Sequence, residues 1–484
     1  MPDSRSDNAL EDNIPAPGPS GEVEERDPAA FWLLGLGLAL GLLRFFKLGE
    51  WSLWMDEALT LTDAQRIADG GLHNPIGYGL VVGFAQLFSE HPSEALLRLL
   101  PALAGWACLP LSYWAFRPLL SRRAAAGATL LLALSPWHLF WSQSARFYTL
   151  AQALCLMGTG AFVRGLWGGR LKLAAVGISL VLASALFHIS GALVVGALLV
   201  ASFAPRLLKS QRPRGFDATA LRVCVPAMLL LLCVSPWALG WLQHHIEQKP
   251  NADLFHFILT CCYFFGPSLL AGCVYGAWVA MGERTASQVF LLAAPFTVLS
   301  ALSLVGLRAL VSAQYAFCIF PFLCALAAGA IDSRTIPSRL RSAWILVLAL
   351  PLLAGDFLYL TSREGERPRW REAWEYVASQ REPGDLVIGM GAQVGEHYLG
   401  GRNPSLRMPR SSYPLGVFFP DGPKRWKRHE RSVWMVMRPL WLDGLSAKEK
   451  DVVERWLIED CRLVRRFPVE MEGRDLDLEV WRRE

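Results

Sequence analysis

Between residues 30 and 360 the chain alternates apolar stretches with short polar breaks, and this alternation limits the fold more than any other feature. A hydrocarbon layer about 30 Å thick is crossed by roughly 20 helical residues. Inside it every backbone N–H and C=O must be paired within the segment, so the stretches have to be helices. The spacing predicts about eleven spans, near 30–48, 94–116, 124–142, 147–166, 171–188, 190–205, 220–242, 257–281, 286–305, 310–331 and 342–360. Charged residues make up 18% of the chain, against about a quarter in soluble proteins. Nineteen tryptophans suit a bilayer, where indole rings settle at headgroup level. The net charge of +5 gives no reason to expect a nucleic acid partner.

One further apolar stretch, Pro75–Phe88, is too short to cross and reads as a juxtamembrane or re-entrant helix. Basic residues test that choice. With a cytoplasmic N-terminus and this stretch not spanning, the inner loops carry Arg117, Arg122, Arg123, Arg164, Arg170, Lys172, Arg206, Lys209, Arg212, Arg214, Arg284, Arg334, Arg339 and Arg341. The outer side holds Arg44, Lys47, Arg66, Arg98, Arg146, Lys249 and Arg308. The bias runs in the positive-inside direction; a spanning Pro75–Phe88 would reverse it for every later loop.

Three regions are therefore expected in a cytoplasmic membrane protein. Residues 1–29, rich in Pro, Gly, Ser and acid, read as a disordered cytoplasmic tail. The first span reads as a retained anchor, since it lacks a cleavage-site pattern. Residues 30–360 form an all-α polytopic bundle with an outer loop at 49–93. Residues 361–484 read as a small α/β domain outside the cytoplasm, with helices at Arg369–Gln380 and Ala447–Glu459, a turn at Pro383–Asp385, and strands at Leu386–Met390, Ser432–Met437 and Leu476–Trp481. The basic-aromatic run Lys424–Arg428 suits either lipid headgroups or a solvated loop. Nine of the ten cysteines lie in apolar stretches, where Cys is ordinary packing material.

Polar residues that stand out gather on the predicted outer side. Asp56-Glu57 follows the first span between tryptophans, and two adjacent carboxylates there must be hydrated, paired or functional; equally, Asp56 suits a helix start. His73 precedes the short helix and Tyr78 sits inside it. Arg98 lies one turn into the second span, where a guanidinium must snorkel or meet an anion. Gln143, Arg146 and Tyr148 join the third and fourth spans, and His188 marks a break between two short ones. Headgroup snorkelling for Arg98 and Arg146, and an interfacial role for His188, are the plainer readings of each residue alone.

Taken together these residues resemble a known pattern. Asp56-Glu57, a His-x-Pro-x-x-Tyr stretch, Glu94-x-x-x-Arg98, Ser142-Gln143-x-x-Arg146-x-Tyr148 after Ser135-Pro136, His188, Gln314-Tyr315 before Pro321, and Trp370-Arg371-x-x-Trp374 with Pro383-Gly384-Asp385 are similar to the GT-C superfamily of membrane glycosyltransferases. The closest branch includes the protein O-mannosyltransferases, the lipid-A aminoarabinose transferase and galacturonosyltransferase-like proteins. The chain departs from that pattern at Asn74-Pro75-Ile76-Gly77-Tyr78, where a double proline is usual, and at Gln314, where relatives often carry Arg; Arg308 is the candidate replacement.

The resemblance implies a polyprenyl-phosphate-linked sugar donor and a lipid, glycan or protein acceptor. Asp56 would act as general base with Glu57 beside it, and Arg98 and Arg146 would hold the donor phosphate. His73, Tyr78, Gln143, Tyr148, His188, Arg308, Gln314 and Tyr315 would line the substrate pocket. Relatives differ in their use of a divalent cation, and none of these motifs requires a metal or other cofactor. A lipid or sugar transporter is the rival reading, although its polar groups belong nearer the midplane; a non-catalytic assembly scaffold is a third.

Overall fold

The computed structural model describes residues 27–68, 76–248, 252–333, 336–389, 392–399, 428–471 and 475–484. The run at 424–427 and His73 lie outside them. Helix α1 (Pro28–Leu40) begins where Asp27 caps the first free amides, accepting from Ala29 and Ala30 N–H, and a 3-10 turn, Gly41–Phe45, extends it. Two shorter helices follow, α2 (Met55–Ala68) and α3 (Ile76–Gln86). At eleven residues α3 is about 16 Å long and cannot cross.

The bundle continues with α4 (Glu94–Phe116), α5 (Arg122–Ala133), α6 (Pro136–Ser142), α7 (Tyr148–Trp167), α8 (Leu171–Ser184), α9 (Ser190–Leu207) and α10 (Phe216–Gln248). Then come α11 (Leu254–Phe265), α12 (Pro267–Glu283), α13 (Ala286–Gly306), a 3-10 turn Ala313–Ile319 running into α14 (Phe320–Gly329), and α15 (Arg341–Leu360). Seven of the described helices, some extended by 3-10 turns, are long and apolar enough to cross a membrane, and nine if each bent pair counts as one span. The two remaining predicted spans are also helical: α7 is interrupted by Gln152, Thr159 and Arg164, and α8 has fourteen residues. Large apolar side chains such as Trp32, Leu232, Phe296 and Val347 are exposed around the bundle, far more than water tolerates.

Two predicted spans are broken. Pro136 starts α6 at 63° to α5. Gly266 (φ +81°) followed by Pro267 turns α12 through 100° from α11, because proline removes an amide while glycine accepts the left-handed backbone. The helix ends sort into two groups. At one end Arg123 pairs with Asp27 at 3.0 Å, the Ser121 amide donates to Asp332 (2.8 Å), and Ser333 donates to Glu283 (2.6 Å). At the other, the Gln143 amide donates to the carbonyls of Leu43, Arg44 and Phe46.

The C-terminal region carries α16 (Trp370–Gln380), β1 (Leu386–Gly389), α17 (Ala392–Leu399), β2 (Val433–Met437), α18 (Ala447–Asp460), β3 (Arg462–Phe467) and β4 (Leu478–Arg483). The sheet order is β1-β2-β4-β3, with β1 and β2 parallel and the other pairs antiparallel. Alternation along β2 sends Trp434 and Val436 to one face and Val433, Met435 and Met437 to the other, and both faces are covered. Trp456 and Leu457 of α18 cover the second face. The first receives Trp370, Trp374 and Val377 of α16 together with Met55 and Ala58 of α2. The sheet and the helix that carries Asp56 therefore share one apolar cluster through α16 and α17.

Candidate active site

Glu57 is the hub. Its carboxylate, fully buried, accepts from Arg98 Nε and Nη2 (both 2.8 Å), the Ala145 amide (2.7 Å), the Trp54 amide (3.2 Å) and Arg367 Nε (3.4 Å). Burial alone would raise this carboxyl, but the guanidiniums of Arg98 and Arg367 and the Ala145 amide outweigh it and hold the group well below the usual carboxylate range. A charge so enclosed is tolerable only when paired and hydrogen-bonded on every side.

Arg98 is committed to protein partners. Besides two bonds to Glu57 it donates to the carbonyls of Leu48 (3.1 Å), Trp51 (2.8 Å) and Ser52 (2.9 Å), so all five of its N–H groups are committed and the side chain is 0% exposed. In this geometry the donors of Arg98 go to Glu57 and to the loop before α2, and the Glu57 carboxylate is taken up by Arg98, Arg367 and the Ala145 and Trp54 amides.

Arg371 completes the hold on the same loop, reaching the carbonyls of Gly49 (3.1 Å), Glu50 (3.2 Å) and Trp51 (3.3 Å) while pairing with Glu94 at 2.7 Å. Each of the five consecutive carbonyls from Leu48 to Ser52 thus accepts from an arginine. Tyr398 closes the loop's far side, accepting from the Leu53 amide (2.7 Å) and donating to Glu94 (3.1 Å). Burial and the neighbouring Glu94 push its phenol up, so it stays protonated.

Arg367 is buried between the Glu57 cluster and the loop that leads to α7. It donates to Tyr359 (3.0 Å), the carbonyls of Gly365 (2.7 Å) and Gln143 (2.8 Å), and Ser144 (2.8 Å). The left-handed turn Glu364-Gly365-Glu366 (φ +46°, +65°, +56°) aims it. Gly365 is required there, since a Cβ would sit 2.6 Å from the Trp51 ring. The sequence reading missed Arg367 as a site residue, although an arginine seven positions past a span poses the same problem as Arg98.

Arg146 differs from Arg98. It donates to the Asp56 carbonyl (2.8 Å), Thr60 (3.2 Å) and Tyr78 (3.1 Å), and its guanidinium lies 5.0, 5.3 and 5.9 Å from the rings of Tyr78, Phe147 and Tyr148. Its buried Nε has no partner among the described residues. Asp56 is half-buried on the first turn of α2. Its charge acts on Arg146, Tyr78, Tyr148 and Tyr315. Its carboxylate receives no hydrogen bond among the described residues.

An aromatic wall surrounds this pair. Tyr148 lies 4.1 Å from Trp141 and 4.8 Å from His188, whose ring is 5.6 Å from Tyr315; His188 Nδ1 meets Ser190 Oγ at 2.7 Å. Gln143 ties the 3-10 turn to the site and is buried. Gln314 is half-buried at the start of the Ala313–Ile319 turn. Arg308 is exposed at the end of α13 and makes no bond to the cluster among the described residues. No group of three His, Cys, Asp or Glu converges as a metal site among them.

No protein-family model matches the sequence, and no curated protein matches it. Solved structures share its fold. ArnT from Cupriavidus metallidurans, in a structure bound to undecaprenyl phosphate, superposes with a TM-score of 0.57 at 16% identity, covering 94% of this chain and 98% of that one; its apo structure gives 0.59. The archaeal oligosaccharyltransferase AglB from Archaeoglobus fulgidus, in complex with an inhibitory peptide and a dolichol-phosphate, gives 0.56 at 12% identity, covering 88% and 71%. ArnT and AglB are GT-C superfamily members, and this chain has the GT-C fold.

Proposed function

We propose that this chain, with the fold of the GT-C membrane glycosyltransferases, moves a sugar from a polyprenyl-phosphate donor to an acceptor at the outer face of the cytoplasmic membrane. The observation that carries this reading is the pairing of Asp56, a half-buried carboxylate free of hydrogen bonds among the described residues, with Arg146, a buried guanidinium that keeps an unmatched donor. An acceptor hydroxyl becomes a good nucleophile only as a base takes its proton; Asp56 takes it. As the sugar's bond to phosphate breaks, negative charge grows on the leaving oxygens, and Arg146 stabilises it where water is scarce. A single displacement with inversion at the sugar is what the family resemblance implies.

Tyr78, Tyr148, His188 and Tyr315 line the sugar pocket. A cavity of about 230 Å³ between α6, the α11–α12 bend and α15, lined by Trp137, Phe140, Phe264 and Leu352, suits part of an isoprenoid tail. The undecaprenyl phosphate on ArnT and the dolichol-phosphate on AglB support a lipid-phosphate donor, and the positive-inside bias supports a cytoplasmic N-terminus and an outward-facing site. Proteoliposomes loaded with labelled polyprenyl-phosphate sugars and acceptor membranes test the proposal. Label joined covalently to acceptor supports transfer; label merely moved across the bilayer supports a transporter and overturns it.

A further inference from the structure

A groove of about 390 Å³ opens between α8, α9 and α10, walled by Leu171, Ile178, Leu182, Val195, Ala227 and Leu230. Its Leu171 end adjoins the end of the bundle opposite the Asp56 site, and its walls run along α8 to Leu182. Tyr148 and Trp167, the two ends of α7, are about 30 Å apart, and the groove's mouth adjoins the Trp167 end.

One charged side chain, Arg222, lines this apolar groove. It is exposed and belongs to the Phe216–Cys233 stretch of α10 that is apolar enough to span. An arginine inside a span is costly and has to find an anion or snorkel to the surface. Among the described residues Arg222 has no ion pair. Further cations surround the mouth. Leu171 is on the groove wall, so Lys172 and Arg170 stand at its rim, both exposed. The α7–α8 and α9–α10 turns touch, since a Cβ added at Gly215 would lie 3.5 Å from Gly169 Cα, and this contact brings the exposed Arg214 to the same rim. Asp217 is the only acid in residues 164–172 and 206–222, and Arg212 takes it at 3.1 Å.

We propose that this groove holds an acidic glycerophospholipid of the leaflet opposite the Asp56 site, one acyl chain in the groove and the phosphate at Arg222 beneath Arg170, Lys172 and Arg214. Charge complementarity selects the occupant: an apolar slot long enough for part of an acyl chain, with cations at its mouth that have no ion pair among the described residues, matches a lipid that carries net negative charge. A zwitterionic lipid fills the slot but leaves the cations unmatched.

Native mass spectrometry of the full-length protein in detergent, titrated with phosphatidylglycerol or phosphatidylethanolamine, tests this. Retention of one phosphatidylglycerol at concentrations where phosphatidylethanolamine is lost is the expected result. Each cation at a membrane surface contributes about fivefold in affinity, so R222Q lowers phosphatidylglycerol affinity by about that factor and R222Q with K172Q by about 25-fold. Ala175→Trp, which fills the groove from an exposed position and keeps every charge, also lowers it. Equal retention of the two lipids, or unchanged phosphatidylglycerol affinity in R222Q/K172Q, overturns the proposal. Because Arg222 and Lys172 are exposed, the charge variants stay folded, which the melting temperature verifies.

Discussion

Arg98 and Glu57 meet as a fork, Nε to Oε1 and Nη2 to Oε2, each at 2.8 Å, with neither side chain exposed. Two planar groups so arranged fix distance and angle together. Arg98 also holds three carbonyls of the loop before α2, so the fork sets the height and direction of the helix that presents Asp56.

Removing one member leaves the other buried without its partner, which costs about 3–5 kcal/mol. Arg98→Ala is therefore expected to lower the melting temperature sharply in fluorescence-detected size exclusion, and Arg98→Lys to recover little, because an ammonium cannot form the fork. Wild-type-like melting of Arg98→Ala would contradict the positioning role.

The same pair sets a pH limit. The Glu57 carboxyl sits below its unfolded value, at about 2 against 4.5, so its contribution to stability is complete above about pH 4.5 and is lost as pH falls through about 2. Melting temperatures measured from pH 8 down to 3 are expected to change little on this account above about pH 5 and to fall below it. In Glu57→Gln the acid-limb slope should be shallower.

Arg146 and Arg98 separate binding from support. Arg146→Gln is expected to weaken undecaprenyl phosphate binding by roughly 10- to 150-fold, about 1.5–3 kcal/mol for hydrogen bonding to a charged group, with a modest change in melting temperature. Isothermal titration in detergent checks it. A conservative Arg98→Lys protein that still folds should bind the lipid phosphate close to normally, and a larger binding loss in Arg98→Lys than in Arg146→Gln would exchange their roles.

The C-terminal domain acts on the site through Arg371 and Tyr398. Tyr398→Phe removes the acceptor for the Leu53 amide and the donor to Glu94, at about 1 kcal/mol for each net bond. Arg371→Ala releases three carbonyls of the same loop. Both variants are expected to lower turnover more than donor affinity, since Arg146 is untouched. A donor-affinity defect alone would mean that the domain acts elsewhere.

Much of this was legible in the sequence because lipid permits so few backbones. Every predicted span is largely helical, and Pro75–Phe88, set apart from the spans by its length, contains only the eleven-residue α3. The α11–α12 bend was not read, since Phe264-Phe265-Gly266-Pro267 is apolar throughout and only the Gly-Pro pair marks the turn. β3 escaped because Arg462-Leu463-Val464-Arg465-Arg466-Phe467 lies at the sheet edge, where arginines blunt pairing and hide the alternation. In the site, Arg98 was recognised as unusual, but the carbonyls that take up its donors carry no residue-type signal. Arg367 was passed over because its partners in the site, Glu57, Gln143 and Ser144, lie hundreds of positions away in sequence.

The most direct test is transfer by Asp56→Asn in proteoliposomes, using polyprenyl-phosphate sugars from metabolically labelled cells and acceptor membranes from cells lacking this protein. The carboxylate accepts no hydrogen bond among the described residues, so the variant should melt close to wild type and still bind undecaprenyl phosphate. Transfer should fall by at least about a hundredfold, the lower bound for losing a general base. Turnover within a few-fold of wild type would contradict the role of Asp56, and with it the account of this site.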